Sequence, residues 1–260
     1  MTRQMINFEG VVNCRDLGGL ALEKAGVTRS GVLFRSETPQ LMTQADVQRA
    51  REEFGIDLVV DLRGKKFRGT ELGGSGPLGE NGRGVNIDFF ELAGGMDAID
   101  PSPDGFLADL IDCGAKPLEV FLEYFVNTDA AVLVHCHTGK DRTGFIVALT
   151  LALVGVRDDE IIADYAMSGP PFEKMMANIT ANGMAQPNAP AYARHPPSVQ
   201  SITGLMKRLR TNWPSPEAWA LAHGINHSLI ERTRARLASG PSDPMVGASM
   251  TDALTATTIF

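Results

Sequence analysis

The chain has 260 residues, 43% of them hydrophobic and 21% charged, with a net charge of −7. That composition suits a soluble globular protein and is a poor match to non-specific nucleic-acid binding, which needs clustered Lys and Arg against phosphates. Cys14, Cys113 and Cys136 are too few, and odd in number, for a disulfide framework; they point to a reducing compartment and one reactive thiol.

The opening stretch "MTRQMINFEGVVNCRDLGG" lacks the apolar core of a secretion signal, so a cytoplasmic location is expected. "GVLFRS" (31–36) reads as a short buried strand. "TQADVQRAREEFG" (43–55) reads as an amphipathic helix, with Thr43 as its N-cap and Gly55 as its stop. "IDLVVDLR" (56–63) is β-branched and apolar, a central strand. Strand, helix and strand at this spacing predict a βαβ unit and hence a parallel sheet. Residues 64–84 contain eight glycines in 21 positions and read as a long loop. "VNIDFF" (85–90) alternates like a strand, and 93–117 reads as a loop or lid around "FLADLI".

"LEVFLEYFVN" (118–127) predicts a helix, "AAVLVH" (130–135) a buried strand, and "RTGFIVALTLALVG" (142–155) a helix apolar nearly all round. Such a helix packs inside a domain, and its apolar run is too short to span a bilayer. "DDEIIADYAMSG" (158–169) begins with acidic residues, as helix starts prefer. Residues 170–198 give no assignment, and helices are predicted over 198–213, 215–224 and 226–240. The expected fold class is α/β: a mostly parallel central sheet flanked by helices. One domain is expected over 1–240, with a lid-like insertion at about 91–117, a helical C-terminal part at about 200–240, and a frayed tail at 241–260.

The junction "VLVHCHTGKDRTGF" (132–145) carries the chemistry. Cys136 stands at the carboxyl end of a parallel strand, where open α/β sheets bind ligands. The loop after it runs into a helix N-terminus, whose N–H groups attract anions. The backbone of His137, Thr138, Gly139 and Lys140 offers a phosphate-sized nest of amides. The same field, with Lys140 and Arg142, favours thiolate over thiol and makes Cys136 a nucleophile toward a bound phosphoryl group. Arg142 can grip two phosphoryl oxygens at once. Thr143 is placed to hydrogen-bond the sulfur as it leaves. The "HCH" histidines lie in one short segment with no third ligand, so no metal and no cofactor are expected.

Cys, five residues, then Arg is the signature of cysteine-dependent phosphatases. "HCHTGKDRTG" resembles the bacterial PtpB-type family of tyrosine and lipid phosphatases, as do "NCRDLGG" (13–19), "SGVLFRS" (30–36), "VVDLR" (59–63) and "GVRDDEIIADYAMS" (155–168). The C-terminal "SPEAWALAHGINHSLIERTRARL" resembles the family's closing segment. The resemblance implies a tyrosine phosphatase fold with a helical lid. Phosphotyrosine, and in some members phosphoserine or phosphothreonine, and phosphoinositides are the implied substrates. It places the nucleophile on Cys136, the phosphate-binding arginine on Arg142, and the loop lysine and aspartate on Lys140 and Asp141.

One departure stands out: the family's acidic residue shortly after the strand has no match in "FFELAGGMDAID". The acid candidates are Asp141, Glu91 and Asp97. Asp141 is favoured because myotubularin-type lipid phosphatases, which this loop also resembles, place Asp immediately before Arg. His135 is expected to orient the loop, and Asp61 and Arg63 to form a buried pair. Cys14 and Cys113 are expected to be small apolar residues, and Trp213 and Trp219 to pack helices. The rival readings are a phosphoinositide phosphatase and a phosphate-binding module without turnover.

Overall fold

The computed structural model describes residues 4–64, 76–80, 83–95, 99–185 and 189–239. Most of the glycine-rich stretch, Asp97 and the tail from 241 lie outside the described residues.

The strands are β1 (Arg15–Asp16), β2 (Val27–Thr28), β3 (Leu33–Ser36), β4 (Ile56–Asp61), β5 (Arg83–Asn86), β6 (Ala131–His135) and β7 (Ala238–Ser239). The first half of the chain holds α1 (Gln44–Glu52), α2 (Gly76–Glu80), α3 (Phe89–Leu92), α4 (Phe106–Asp109) and α5 (Ala115–Val126). After β6 come α6 (Asp141–Val154), α7 (Asp158–Ala166), α8 (Phe172–Ala181) and α9 (Ala191–Arg194). The C-terminal helices are α10 (Val199–Asn212), α11 (Pro216–Ala222) and α12 (His227–Leu237).

Five strands form one sheet in the order β1-β3-β6-β4-β5. β3, β6, β4 and β5 run parallel, with β1 antiparallel at one edge. The predicted β3–α1–β4 unit is therefore present, but β6 lies between its two strands. Alternation along β6 sends Val132 and Val134 into one core and Ala131 and Leu133 into the other, so helices cover both faces. On β4, Leu58 and Val60 join the first core and Val59 the second. Ile56 also lies in the second core, because the register slips between Ile56 and Leu58.

The α1 boundaries follow from capping. The Thr43 hydroxyl accepts from the Asp46 amide at 3.1 Å, and the Asp46 carboxylate accepts from the Thr43 amide at 3.1 Å. Nearly all of α6 is buried, as its all-round apolar sequence predicts; Arg142 alone among Asp141–Val154 is only partly covered. Gly155 ends it in the left-handed region at φ 92°.

Several expectations change, and the stretch expected to be loop over 64–84 holds α2 and the start of β5. The strand predicted at 85–90 ends at Asn86, because Asp88 caps a helical turn by accepting from the Glu91 amide at 3.3 Å. The helix predicted from 118 starts at Ala115, since Pro117 falls in its first turn and forfeits no helical hydrogen bond there. The stretch left without assignment holds α8 and α9. The expected lid is packed over its described part: Phe106, Leu107, Leu110 and Ile111 belong to the main core. Trp219 is buried, and its indole N–H donates to the Ile111 carbonyl at 3.1 Å. A short ribbon of β2 and β7 pins the end of α12 to the N-terminal part. No described helix is long and apolar enough to cross a membrane.

Candidate active site

β6 ends at His135, the centre of the sheet, and delivers Cys136 to its carboxyl edge. After five intervening residues Arg142 occupies the second position of α6. The turn between needs a glycine twice over. Gly139 sits at φ 68°, and a Cβ there would stand 2.2 Å from the Ser36 carbonyl oxygen.

The carbonyls of 136 to 140 are each hydrogen-bonded, three of them from distant segments. His135 accepts from the Leu62 amide at 2.8 Å, and His137 from the Thr38 amide at 3.0 Å. The Cys136 carbonyl takes the Nδ1–H of His135 at 2.9 Å, which assigns the tautomer of that ring. Thr138 accepts from the side-chain amide of Asn13 at 3.0 Å, and Gly139 from the Arg35 guanidinium at 2.7 Å. Lys140 accepts from the Gly144 amide at 2.7 Å. In a trans peptide the N–H points opposite to the carbonyl, and the described chain has no cis bond. With the carbonyls of 136 to 140 held outward, the amides of 137 to 141 face the concave side. Amides arranged in this way at a helix N-terminus form a cradle that suits an anion.

The side chains around it divide into two groups. One N–H of Arg142 donates to the Leu62 carbonyl at 3.2 Å, and its guanidinium lies 5.2 Å from the centre of the Phe90 ring. Lys140 is buried; its ammonium donates to both Asp141 oxygens at 2.8 Å and to the Tyr192 carbonyl at 2.6 Å. The Tyr192 ring stacks on Phe106, with centroids 3.6 Å apart. Asp61 and Arg63 form the expected buried pair at 2.8 Å, and Arg63 also donates to Gln40 at 2.9 Å. Thr143 Oγ1 is buried with no hydrogen-bond partner among the described residues.

Both loop histidines are neutral near pH 7. Burial pulls His135 down to about 4, and burial together with the Arg142 charge does the same to His137. The positive field of the loop therefore comes from Arg142, Lys140 and the amides. Cys136 is buried and free, while Cys14 lies in the core with its thiol pushed up to about 12 by burial. Cys14 is an inert packing residue, as expected.

Of the three acid candidates, Asp141 is in the loop and Glu91 is exposed on α3. Asp97 lies outside the described residues. Sequence reasoning missed Phe90, Gln40 and Tyr192, and it gave no role to Asn13, Arg15, Arg35 or Asp164. A signal existed for the last four. Arg35 interrupts an apolar strand, and "NCRD" and "ADYAMS" put charges beside residues that must be buried.

A profile described as the tyrosine phosphatase family matches residues 6–239. A Cupriavidus necator protein, provisionally named a tyrosine-protein phosphatase, is 33% identical over 177 residues, 64% of this chain and 63% of its own. A Nostoc commune tyrosine-protein phosphatase is 31% identical over 126 residues, 46% of this chain and 43% of its own. The triple specificity protein phosphatase PtpB of Mycobacterium tuberculosis is 51% identical over 49 residues, 19% of this chain and 18% of its own. The chain thus spans less than two thirds of the length of each of these curated relatives. The profile match runs from the residues before β1 through β7, and the mostly parallel sheet, whose central strand leads straight into Cys136, agrees with it: this chain belongs to the tyrosine phosphatase family.

Proposed function

We propose that the chain is a protein tyrosine phosphatase that hydrolyses phosphomonoesters through a cysteinyl-phosphate intermediate. The observation that carries this reading is the outward anchoring of five successive carbonyls around Cys136, which leaves five amides for a phosphoryl group.

In the first step the Cys136 thiolate attacks phosphorus, the P–O ester bond breaks, and a proton reaches the leaving oxygen from Asp141. In the second, water attacks phosphorus, Asp141 takes its proton, and the S–P bond breaks to release phosphate. The cradle amides and Arg142 hold the equatorial oxygens in both steps. The Thr143 hydroxyl, buried without a partner among the described residues, is a donor for the departing sulfur. The ammonium of Lys140 donates to both Asp141 oxygens and so fixes the direction of that carboxyl group beside the cradle.

The test uses an aryl phosphate with a chelator present. Turnover is expected to persist, and Cys136→Ser to abolish it while phosphate still binds; a chelator-sensitive rate, or substantial turnover in the variant, overturns the reading. The alternative, a phosphoinositide phosphatase, requires Lys140 to be available to a second phosphate, whereas here its ammonium is taken up by Asp141 and Tyr192. Rates on phosphotyrosine, phosphoserine and mono-phosphorylated inositides, compared side by side, are expected to favour phosphotyrosine.

A further inference from the structure

Behind the cradle, away from its concave side, lies a buried group of charges that touches no reacting atom. Asp164 on α7 accepts from Arg15 Nε at 2.7 Å and from an Arg35 terminal nitrogen at 2.5 Å. Its backbone carbonyl takes a second Arg15 nitrogen at 2.7 Å, and the Ser168 hydroxyl lies 3.2 Å from the same nitrogen. Arg15 also donates to the Asn13 side-chain oxygen at 2.7 Å, which turns the amide end of Asn13 onto the Thr138 carbonyl. Arg35 reaches the Gly139 carbonyl at 2.7 Å and the Lys140 carbonyl at 3.5 Å. Arg15, Arg35 and Asp164 are at most 1% exposed.

We propose that Asp164 is a positioning residue of the phosphate cradle, acting through Arg15 and Arg35 on the carbonyls of Thr138, Gly139 and Lys140. Those three carbonyls fix the direction of the amides of Gly139, Lys140 and Asp141. One carboxylate shared by two guanidiniums is therefore what aims three of the cradle's donors. Stability alone is a weak reason to keep such a group. A buried ion cluster is commonly no better than apolar side chains of the same volume, because desolvation cancels the attraction. The cost is visible at Arg35, which burial and the neighbouring Arg15 charge pull down to about 10. A guanidinium, with five N–H donors in one rigid plane, is well suited to bridge a carboxylate and a carbonyl.

The inference rests on the reading of the loop as a phosphoryl cradle, and one experiment separates the two. The dissociation constant of inorganic phosphate and kcat/KM for an aryl phosphate are measured on the full chain and on Asp164→Asn, Arg35→Lys and Asn13→Ala. Ile230→Val, a remote core change on α12, serves as the control. Positioning predicts that phosphate affinity and kcat/KM fall together by about tenfold or more in Asp164→Asn and Arg35→Lys, and by less in Asn13→Ala. Ile230→Val leaves both unchanged. The sign in Asp164→Asn is diagnostic: removing a negative charge beside an anion site strengthens binding if the cluster acts only through its field. Unchanged or tighter phosphate binding in the folded variants overturns the inference. Should Asp164→Asn fail to fold, Arg35→Lys and Asn13→Ala decide it. Failure of the unaltered chain to bind phosphate overturns the cradle reading instead.

Discussion

At the scale of single residues, the cradle depends on atoms that admit no substitute. Gly139→Ala meets both a left-handed φ of 68° and the Ser36 carbonyl 2.2 Å from the new Cβ. Strain of this kind costs about 1–3 kcal/mol even where space is free, so lowered stability and a loss of activity of about a hundredfold are expected. Thermal unfolding and kcat/KM on an aryl phosphate check both. Asp141→Asn should slow alkyl phosphates more than good aryl leaving groups, since only the former depend on the proton; an equal effect on both moves the acid elsewhere. Cys136 and Arg142 were legible in the sequence because their spacing is local and their chemistry is in their type. Asp164 and Tyr192 were not, because their roles exist only through partners 149 and 52 residues away.

At the scale of elements, ends proved to depend on side chains more than on hydrophobic pattern. Thr43→Ala removes one half of the capping box of α1 and should cost about 1 kcal/mol in denaturant unfolding. Restoration by Thr43→Ser but not Thr43→Val would tie the loss to the hydroxyl. The run "VNIDFF" shows the limit of periodicity: its apolar alternation fits a strand, yet Asp88 takes the Glu91 amide and winds the last part into α3. Phe90 is thereby turned onto Arg142. The sheet itself was readable as parallel from its β-branched runs. That β6 is inserted between β3 and β4 was not, since nothing in the local sequence of either strand encodes which neighbour it will accept.

At the scale of the whole molecule, the buried titratable groups set opposing pH dependences. Burial pushes the Glu37 carboxyl up to about 7 from an ordinary 4.5, against the amides of Val12 and Asn13 that it accepts. Its contribution to stability is full below 4.5 and is lost as the pH rises through 7. His135 and His137 act the other way: at about 4 against an ordinary 6.5, they favour the fold above 6.5 and cease to as the pH falls toward 4. Two protons outweigh one, so stability should rise between about pH 4.5 and 6.5. Glu37→Gln should steepen that rise by about 1.4 kcal/mol per pH unit, one proton's worth. Denaturant titrations across that window measure it, and an unchanged slope would rule Glu37 out.

The ties that fix the cradle have a consequence for the order in which the molecule is made. Asn13 reaches Thr138 across 125 residues, Arg35 reaches Gly139 across 104, and Arg15 reaches Asp164 across 149. Closing loops of that span is slow; the first two bonds need the sheet assembled, and the third needs α7 docked as well. Helix α6 packs against α5 and α7, its neighbours along the chain, and can be in place sooner. On refolding from denaturant, phosphate binding should therefore return after the helical signal does. A chain that has regained its far-ultraviolet dichroism but not its affinity for phosphate is one whose distant segments have yet to lock.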